Sequence, residues 1–177
     1  MRWRVLILLA GLFIGLVVMT VVVHAAADYD HRNLSDQLSA QKITMPTAAA
    51  IKASISDPAD VAALQPYEGQ VMTTGAQAEA FADHYIGAHL RKMGKTYDEA
   101  SAYARAHPKD AAAAALVQTV FQGTMLRSSL LQGWGWGQVG DYAALGSWVL
   151  AALALVVLLA LLFELLVAPR NTKTALP

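Results

Sequence analysis

The strongest constraint on this chain is an apolar run near its C-terminal end, residues 145–168, which reads LGSWVLAALALVVLLALLFELLVA. It is 24 residues long and holds one charged residue, Glu164. At 1.5 Å per helical residue, such a run reaches roughly 36 Å, which exceeds the ~30 Å hydrocarbon core of a bilayer. The run therefore predicts a transmembrane helix.

A second apolar run, residues 5–23, lies at the other end of the chain. Arg2 and Arg4 precede it, and Arg170 and Lys173 follow the run at 145–168. Positively charged flanks tend to stay in the cytoplasm. We therefore expect a two-pass protein of the cell membrane, with both termini cytoplasmic and the centre extracytoplasmic.

The first run also has the features of a secretory signal. Arg2 and Arg4 supply a basic start, and the small residues at 25–27 offer a cleavage site. The 19-residue apolar stretch is longer than the 7–15 residues typical of a signal peptide, which favours an uncleaved anchor. The centre is extracytoplasmic under either interpretation.

These features predict an all-α membrane protein with two transmembrane helices that flank a small extracytoplasmic helical bundle. The expected segments are a cytoplasmic N-terminus (1–4), a first transmembrane helix (5–23), a helix extension with a strap-like linker (24–72), a helical bundle (73–132), a Gly/Trp membrane-interface joint (133–144), a second transmembrane helix (145–168) and a cytoplasmic tail (169–177).

The composition of the central part excludes several functions. Residues 24–144 carry nine Lys or Arg against twelve Asp or Glu, so charge gives no reason to bind nucleic acid. The chain has no cysteine, which rules out disulfides, thiolate metal sites and cysteine nucleophiles.

The first apolar run contains two small residues four apart, Gly11 and Gly15. Such a pair lets a second membrane helix approach closely. We expect a helix contact here, with either the second span or a partner. Glycine is also simply common in membrane helices, which is the alternative explanation.

The first membrane helix is expected to continue outward to about residue 40, until Met45-Pro46 ends it. The following stretch, residues 44–72, is interpreted as a connecting strap with one short helix. That helix would be capped by Asp57 and would begin at Pro58.

Three helices are predicted in residues 74–132. A capping box at 74–77 opens the first, a second box at 96–99 opens a shorter one, and Asp110 caps the third, which is expected to run to about residue 131 or 132. The predicted shared core consists of Phe81, Tyr85, Leu90, Val120 and Phe121.

The stretch GWGWGQVGDY, residues 133–142, interleaves tryptophan with glycine just before the second span. Tryptophan and tyrosine prefer the headgroup layer of a bilayer. The predicted membrane-interface residues are Trp3, Trp134, Trp136, Tyr142 and Trp148. At least a partial helix is expected to join the bundle to the span here, with the glycines as a softened joint or a surface for close backbone approach.

No catalytic or cofactor site is predicted. His84 and His89 are five residues apart and do not share a helix face, so a metal site would need ligands from other segments. His84 is expected to be solvated and His89 half buried and hydrogen-bonded. Glu164 is interpreted as an interface acid that snorkels or pairs with Arg170, with a proton-relay role as the alternative.

Three stretches, TTGAQAEAFADHYIGAHL, GKTYDEASAYA and VFQGTMLRSSLL, resemble a block in actinobacterial two-span membrane proteins. AQKITMP and PYEGQ, at residues 40–46 and 66–70, resemble the same proteins. That family is often named automatically as aromatic ring-opening dioxygenase of the LigA type. The resemblance covers about residues 29–142 and implies an extracytoplasmic helical domain in a cell-envelope protein. It implies no activity, and the sequence offers no set of iron ligands.

The sequence thus favours a non-enzymatic protein that serves as an accessory or assembly subunit of a cell-envelope membrane complex. The expected partners are the lipid bilayer and either a membrane protein or further copies of the chain. An extracytoplasmic domain that binds or senses a small molecule is the first alternative, and a metalloenzyme the second.

Overall fold

A computed structural model of the chain describes residues 2–166, so Arg170, Lys173 and the predicted tail lie outside the described residues. The secondary structure of the described part is helical, which confirms the all-α class. Its elements are α1 (Arg2–Ala40), α2 (Ala48–Ser54), α3 (Pro58–Leu64), a 3₁₀ turn (Gln65–Tyr67), α4 (Gly75–Ala80), a π-helical turn (Phe81–Ile86), α5 (Gly87–Met93), α6 (Tyr97–Ala106) and α7 (Ala111–Leu166).

Two of the helices, α1 and α7, are long and apolar enough to cross a membrane. The chain divides into two compact units. Among the described residues, one unit, here called the apolar unit, consists of residues 2–28 and 140–166. The other, the central unit, is Tyr29–Val139.

Within the apolar unit, the less exposed positions of α1 recur every three or four residues, as on the inner face of a supercoiled helix pair. The matching face of α7 is made mainly of small residues, with Ser147 and Ala154 buried. Large side chains on one helix against small ones on the other let two helices pack closely. The α1 positions are Leu6, Leu9, Phe13, Leu16, Thr20, Val23 and Ala27.

The short helices of the central unit begin where the sequence offers capping groups. Thr74 and Gln77 form the predicted capping box of α4, and Thr96 and Glu99 form that of α6. Asp110 accepts hydrogen bonds from the backbone N–H groups of residues 112 and 113 at the start of α7. Each cap satisfies backbone donors that the first helical turn leaves without a partner.

The stretch predicted as a strap, residues 44–72, is instead a folded part of the core. It contains two helices and a 3₁₀ turn rather than one helix, because Thr47 caps an additional helix, α2. Two backbone hydrogen bonds, from Met45 N to Gln70 O at 2.8 Å and from Met72 N to Ile43 O at 2.9 Å, hold its ends together. Five of the buried core side chains come from it: Met45, Ile51, Ile55, Leu64 and Met72.

The predicted core residues are only partly correct. Val120 is buried, but Phe121 is 44% exposed and its ring lies 5.6 Å from the ring of Tyr97. Phe81, Tyr85 and Leu90 are half buried at the edge of the core. The error arises because the residues of the supposed strap occupy the space that the larger side chains of α4–α5 were expected to fill.

One predicted helix end is confirmed and one is wrong. Helix α1 ends at Ala40, at the predicted position, and the backbone then turns through Lys42 with a positive φ of 52°. Helix α7 does not end near residue 132, and the predicted joint at 133–144 is helical throughout. The continuous helix agrees with the expectation of at least a partial helix across these glycines.

Candidate functional site

The most densely charged part of the central unit surrounds the π-helical turn. Asp60, on α3, is 5% exposed, and its carboxylate is paired with His84 of the π-helical turn and Arg91 of α5. The His84 Nδ1 atom lies 2.9 Å from Asp60 Oδ1, and Arg91 binds the other carboxylate oxygen. His84 is therefore engaged with an acid, which corrects the prediction that it is solvated.

A second acid–base pair lies beside the first. Arg127 of α7 donates two hydrogen bonds to Asp83 Oδ1, from Nε at 3.1 Å and from a terminal nitrogen at 2.7 Å. The missing side chain of Gly87 leaves the space beside them, since a Cβ there would lie 3.3 Å from an Arg91 nitrogen. We call Asp60, Asp83, His84, Arg91 and Arg127 the charged cluster.

The electrostatics of the charged cluster favour an ionised Asp60. Burial raises the pKa of Asp60. The hydrogen bonds from His84 and Arg91 and the positive charge of Arg91 lower it by more than burial raises it, so the pKa lies below its ordinary value. The cluster ties α3, the π-helical turn, α5 and α7 together. π-helical turns often occur at functional sites, but the charged groups around this one are paired with one another.

The described residues contain no group of three or more His, Asp or Glu side chains that could hold a metal ion. His89, which was expected to be hydrogen-bonded, has its Nδ1 atom 2.7 Å from the backbone oxygen of Tyr85, and its ring lies against that of Tyr85. It is half buried, as predicted.

In the apolar unit, a histidine lies between a serine and an acid in space. His24 Nδ1 lies 3.2 Å from Ser147 Oγ, and His24 Nε2 lies 4.0 Å from Asp28 Oδ2. The Ser147 hydroxyl donates to the backbone oxygen of Ala144 at 2.7 Å, so its oxygen can only accept from His24. A buried hydroxyl held in this way is a link between helices rather than an activated nucleophile.

The predicted helix-packing residues face outward. A Cβ atom built at Gly11 or Gly15 would meet nothing within 4 Å, so the contact expected with the second span is not present among the described residues. The inner face of α1 is formed by other residues, among them Phe13 and Thr20. At 100° per residue, Gly11 and Gly15 lie on the side of the helix opposite this inner face.

All five residues predicted to lie at the membrane interface are exposed. Three of them, Trp3, Tyr142 and Trp148, belong to the apolar unit, and Trp134 and Trp136 belong to the central unit. Their contact with lipid stays a prediction. The acid of the second span, Glu164, is half buried, and its backbone oxygen accepts a hydrogen bond from Arg2.

The glycines around the tryptophans do provide a surface for close approach. A Cβ at Gly75, the first residue of α4, would lie 3.3 Å from the Cα atom of Trp134. A Cβ at Gly137 would lie 3.0 Å from a methyl group of Leu34. Three segments of the central unit therefore meet here at distances that larger residues would prevent.

A cleft of about 490 Å³ opens in the central unit between the 29–41 part of α1 and the 129–136 part of α7. Sequence patterns did not reveal it, because its two walls are about 100 residues apart in the chain. Its lining is about half polar and half apolar, with one acid and one indole ring: Tyr29, Asp30, Asn33, Leu34, Gln37, Leu38, Gln41, Ser129, Leu130, Gln132, Gly133 and Trp136.

Comparisons of the chain with known protein families, with curated proteins and with solved structures give no match.

Proposed function

We propose that this chain is a non-enzymatic, two-pass membrane protein of the cell envelope, and that it serves as an accessory or assembly subunit of a membrane complex. In this proposal α1 and α7 cross the bilayer, the termini are cytoplasmic and the central unit is extracytoplasmic. The length and hydropathy of the two helices support the membrane location. The basic residues Arg2, Arg4, Arg170 and Lys173 support the orientation.

The single observation that carries the interaction role is the open glycine face of α1. The opposite face of the helix already packs within the apolar unit, whereas a Cβ atom at Gly11 or Gly15 would meet none of the described residues within 4 Å. In a bilayer, burial of apolar surface drives little association, so close van der Waals packing at small residues is what brings helices together. The glycine face is thus suited to a third membrane helix.

Co-purification tests this role. The tagged full-length chain would be purified in mild detergent from its native membranes, as wild type, as Gly11→Leu/Gly15→Leu, and as a control, Leu12→Phe/Met19→Phe. The control adds bulk at exposed positions beside the glycine face. We expect the wild type and the control to recover a membrane protein in constant proportion, and the glycine variant to lose it.

Two results would contradict the proposal. A wild-type chain that elutes as a lone monomer has no partner to assemble with. Equal recovery of the partner by the glycine variant would place the contact elsewhere. A second copy of the chain in place of a different protein would identify the complex as a homo-oligomer, which the proposal includes.

The cleft favours a second candidate function, a domain that binds or senses a small molecule. Ligand pockets are commonly about 300–1,000 Å³ and carry a few convergent polar groups. The cleft, at about 490 Å³, lies within this range and combines carboxylate, amide and hydroxyl groups with one indole ring.

A further inference from the structure

We propose that the cleft of the central unit binds a hydroxylated primary amine, such as an amino sugar. This inference rests on the second candidate function, small-molecule binding, and is independent of the subunit role. It depends on four properties of the cleft: an uncompensated carboxylate, the absence of basic lining residues, a wall of amides, and an exposed indole.

The carboxylate belongs to Asp30, on the α1 wall. Its Oδ2 atom is buried and accepts no hydrogen bond from the described residues. A carboxylate oxygen that has lost water without gaining a donor is costly, and a cation beside the group offsets that cost. The Oδ2 atom itself has no open surface, but Asp30 also lines the cleft, where a primary ammonium places a positive charge beside the carboxylate. The structure thus favours an amine over a neutral ligand.

The rest of the lining determines which ligand charge the cleft favours. The described residues around the cleft include no Lys, Arg or His, so Asp30 is the one charge there. Anionic ligands such as phosphates or carboxylates would meet repulsion without a compensating donor of positive charge. The cleft therefore discriminates against acids as well as favouring amines.

The amide groups explain the preference for hydroxyls. Asn33, Gln37, Gln41 and Gln132 line the cleft. Gln37 Nε2 donates to Asn33 Oδ1 at 3.1 Å, which leaves the Asn33 NH₂ group and the Gln37 carbonyl available to a ligand. A donor and an acceptor side by side suit hydroxyl groups, which both accept and donate.

The indole of Trp136 completes the site from the α7 wall. Its side chain is largely exposed, and it lines the cleft on the wall opposite Asp30. An indole face attracts cations and also packs against the C–H face of a sugar ring. A ligand with an ammonium group on a hydroxylated ring satisfies Asp30, the amides and Trp136 together.

The test uses calorimetric titration of the full-length chain in detergent micelles with three probes of similar size: glucosamine, glucose and glucuronate. We expect glucosamine to bind at least about tenfold more tightly than glucose, because a hydrogen bond to a charged group is worth roughly 1.5–3 kcal/mol. Glucuronate should bind most weakly of the three.

Variants assign the effect to the cleft. Asp30→Asn should lower the affinity for glucosamine at least about tenfold, to the level of glucose. Asp36→Asn, which removes the same charge from an exposed position of the same helix outside the cleft, should leave it unchanged. Ser129→Trp places bulk in the cleft from an exposed position and should abolish binding of glucosamine and glucose alike.

The outcomes separate the amine assignment from the binding function. Equal affinities for glucosamine and glucose, with both lost in Ser129→Trp, would overturn the amine but retain a small-molecule site. No binding of any probe, or binding that Ser129→Trp leaves intact, would overturn the proposed cleft. An equal loss of glucosamine affinity in Asp30→Asn and Asp36→Asn would show a general charge effect and would also overturn the assignment of the amine to Asp30.

Discussion

The apolar unit and the central unit place the same kinds of side chain in opposite positions. In the apolar unit, large apolar residues such as Leu8 and Val18 are exposed, and the buried positions include Ser147 and Ala154. In the central unit, the largest fully buried side chains are apolar, Leu64 and Met72 among them. A protein surface in water avoids the first pattern, whereas a helix pair in lipid favours it.

Polar groups differ between the units in a parallel way. The charged cluster of the central unit holds several elements together through ion pairs at its edge. The apolar unit has a hydrogen bond between His24 and Ser147 instead. The difference teaches that burial alone does not identify the core of this chain, because the two units bury different kinds of side chain.

The largest expected effect comes from the core of the central unit. Leu64 has no exposed surface, so Leu64→Ala should destabilise the central unit by about 2–5 kcal/mol through lost burial and a cavity. Urea unfolding of the full chain in detergent, followed by circular dichroism, measures this. Leu8→Ala, an equal truncation at an exposed position of the apolar unit, is the control. Similar losses from both would remove the distinction between the units.

The next effect concerns the charged cluster. Asp60→Asn removes the acid that pairs with His84 and Arg91, and should cost roughly 1–3 kcal/mol. The size is limited because Arg91 remains partly exposed and stays solvated. The same unfolding measurement checks the value, and a loss as large as that of Leu64→Ala would mean that the cluster, not the apolar core, dominates stability.

The pH dependence of the wild type should show the same contribution. The pKa of Asp60 is lower in the folded chain than in the unfolded chain, so the unfolded chain takes up the proton more readily. The stabilisation is therefore fully present above the unfolded pKa, about 4, and is lost as the pH falls through the folded pKa. Below pH 4 the wild type and Asp60→Asn should converge in stability. A constant difference at all pH values would contradict this.

A smaller effect separates two glycines near the tryptophans. Gly75→Ala should destabilise the central unit by about 1 kcal/mol, because the new Cβ meets the backbone of Trp134. Gly135→Ala should stabilise it by up to about 1 kcal/mol, since it has open space and lies inside α7. Thermal melting compares them. The same sign of change for both would show that helix propensity alone controls these positions.

The smallest effect is expected in the apolar unit. Gly11→Ala/Gly15→Ala should change the stability of the isolated chain by less than about 0.5 kcal/mol, because a Cβ there meets none of the described residues. The gain in helix propensity expected for Gly135→Ala should be smaller here, since a helix in a bilayer or micelle keeps its backbone hydrogen bonds with either residue. The same substitutions should weaken recovery of a partner. Destabilisation of the chain itself would show that the glycines serve the internal helix pair.

Local signals in the sequence predicted the local parts of the fold. The capping residues Thr74, Thr96 and Asp110 mark helix starts correctly, because a cap acts within four residues of chain. The length of the apolar runs identified both helices that could cross a membrane. The all-α class follows from the same features.

Contacts between distant segments were beyond the sequence pattern. Asp60 and His84 are 24 residues apart, and His24 and Ser147 are 123 apart, so no spacing rule connects them. Val120 and Phe121 were both predicted in the core, but adjacent residues point about 100° apart on a helix, and only Val120 is buried. The walls of the cleft come together only when α1 and α7 pack in the central unit.

The measurement that most directly tests the two-pass account is the accessibility of single cysteines in intact cells. The natural chain has no cysteine, so Lys109→Cys in the central unit and Thr172→Cys in the tail each introduce a unique thiol. With a membrane-impermeant maleimide, we predict labelling of the Lys109→Cys variant in intact cells and of the Thr172→Cys variant only after permeabilisation. Labelling of both variants before permeabilisation, or of neither, would contradict an extracytoplasmic central unit between two membrane spans.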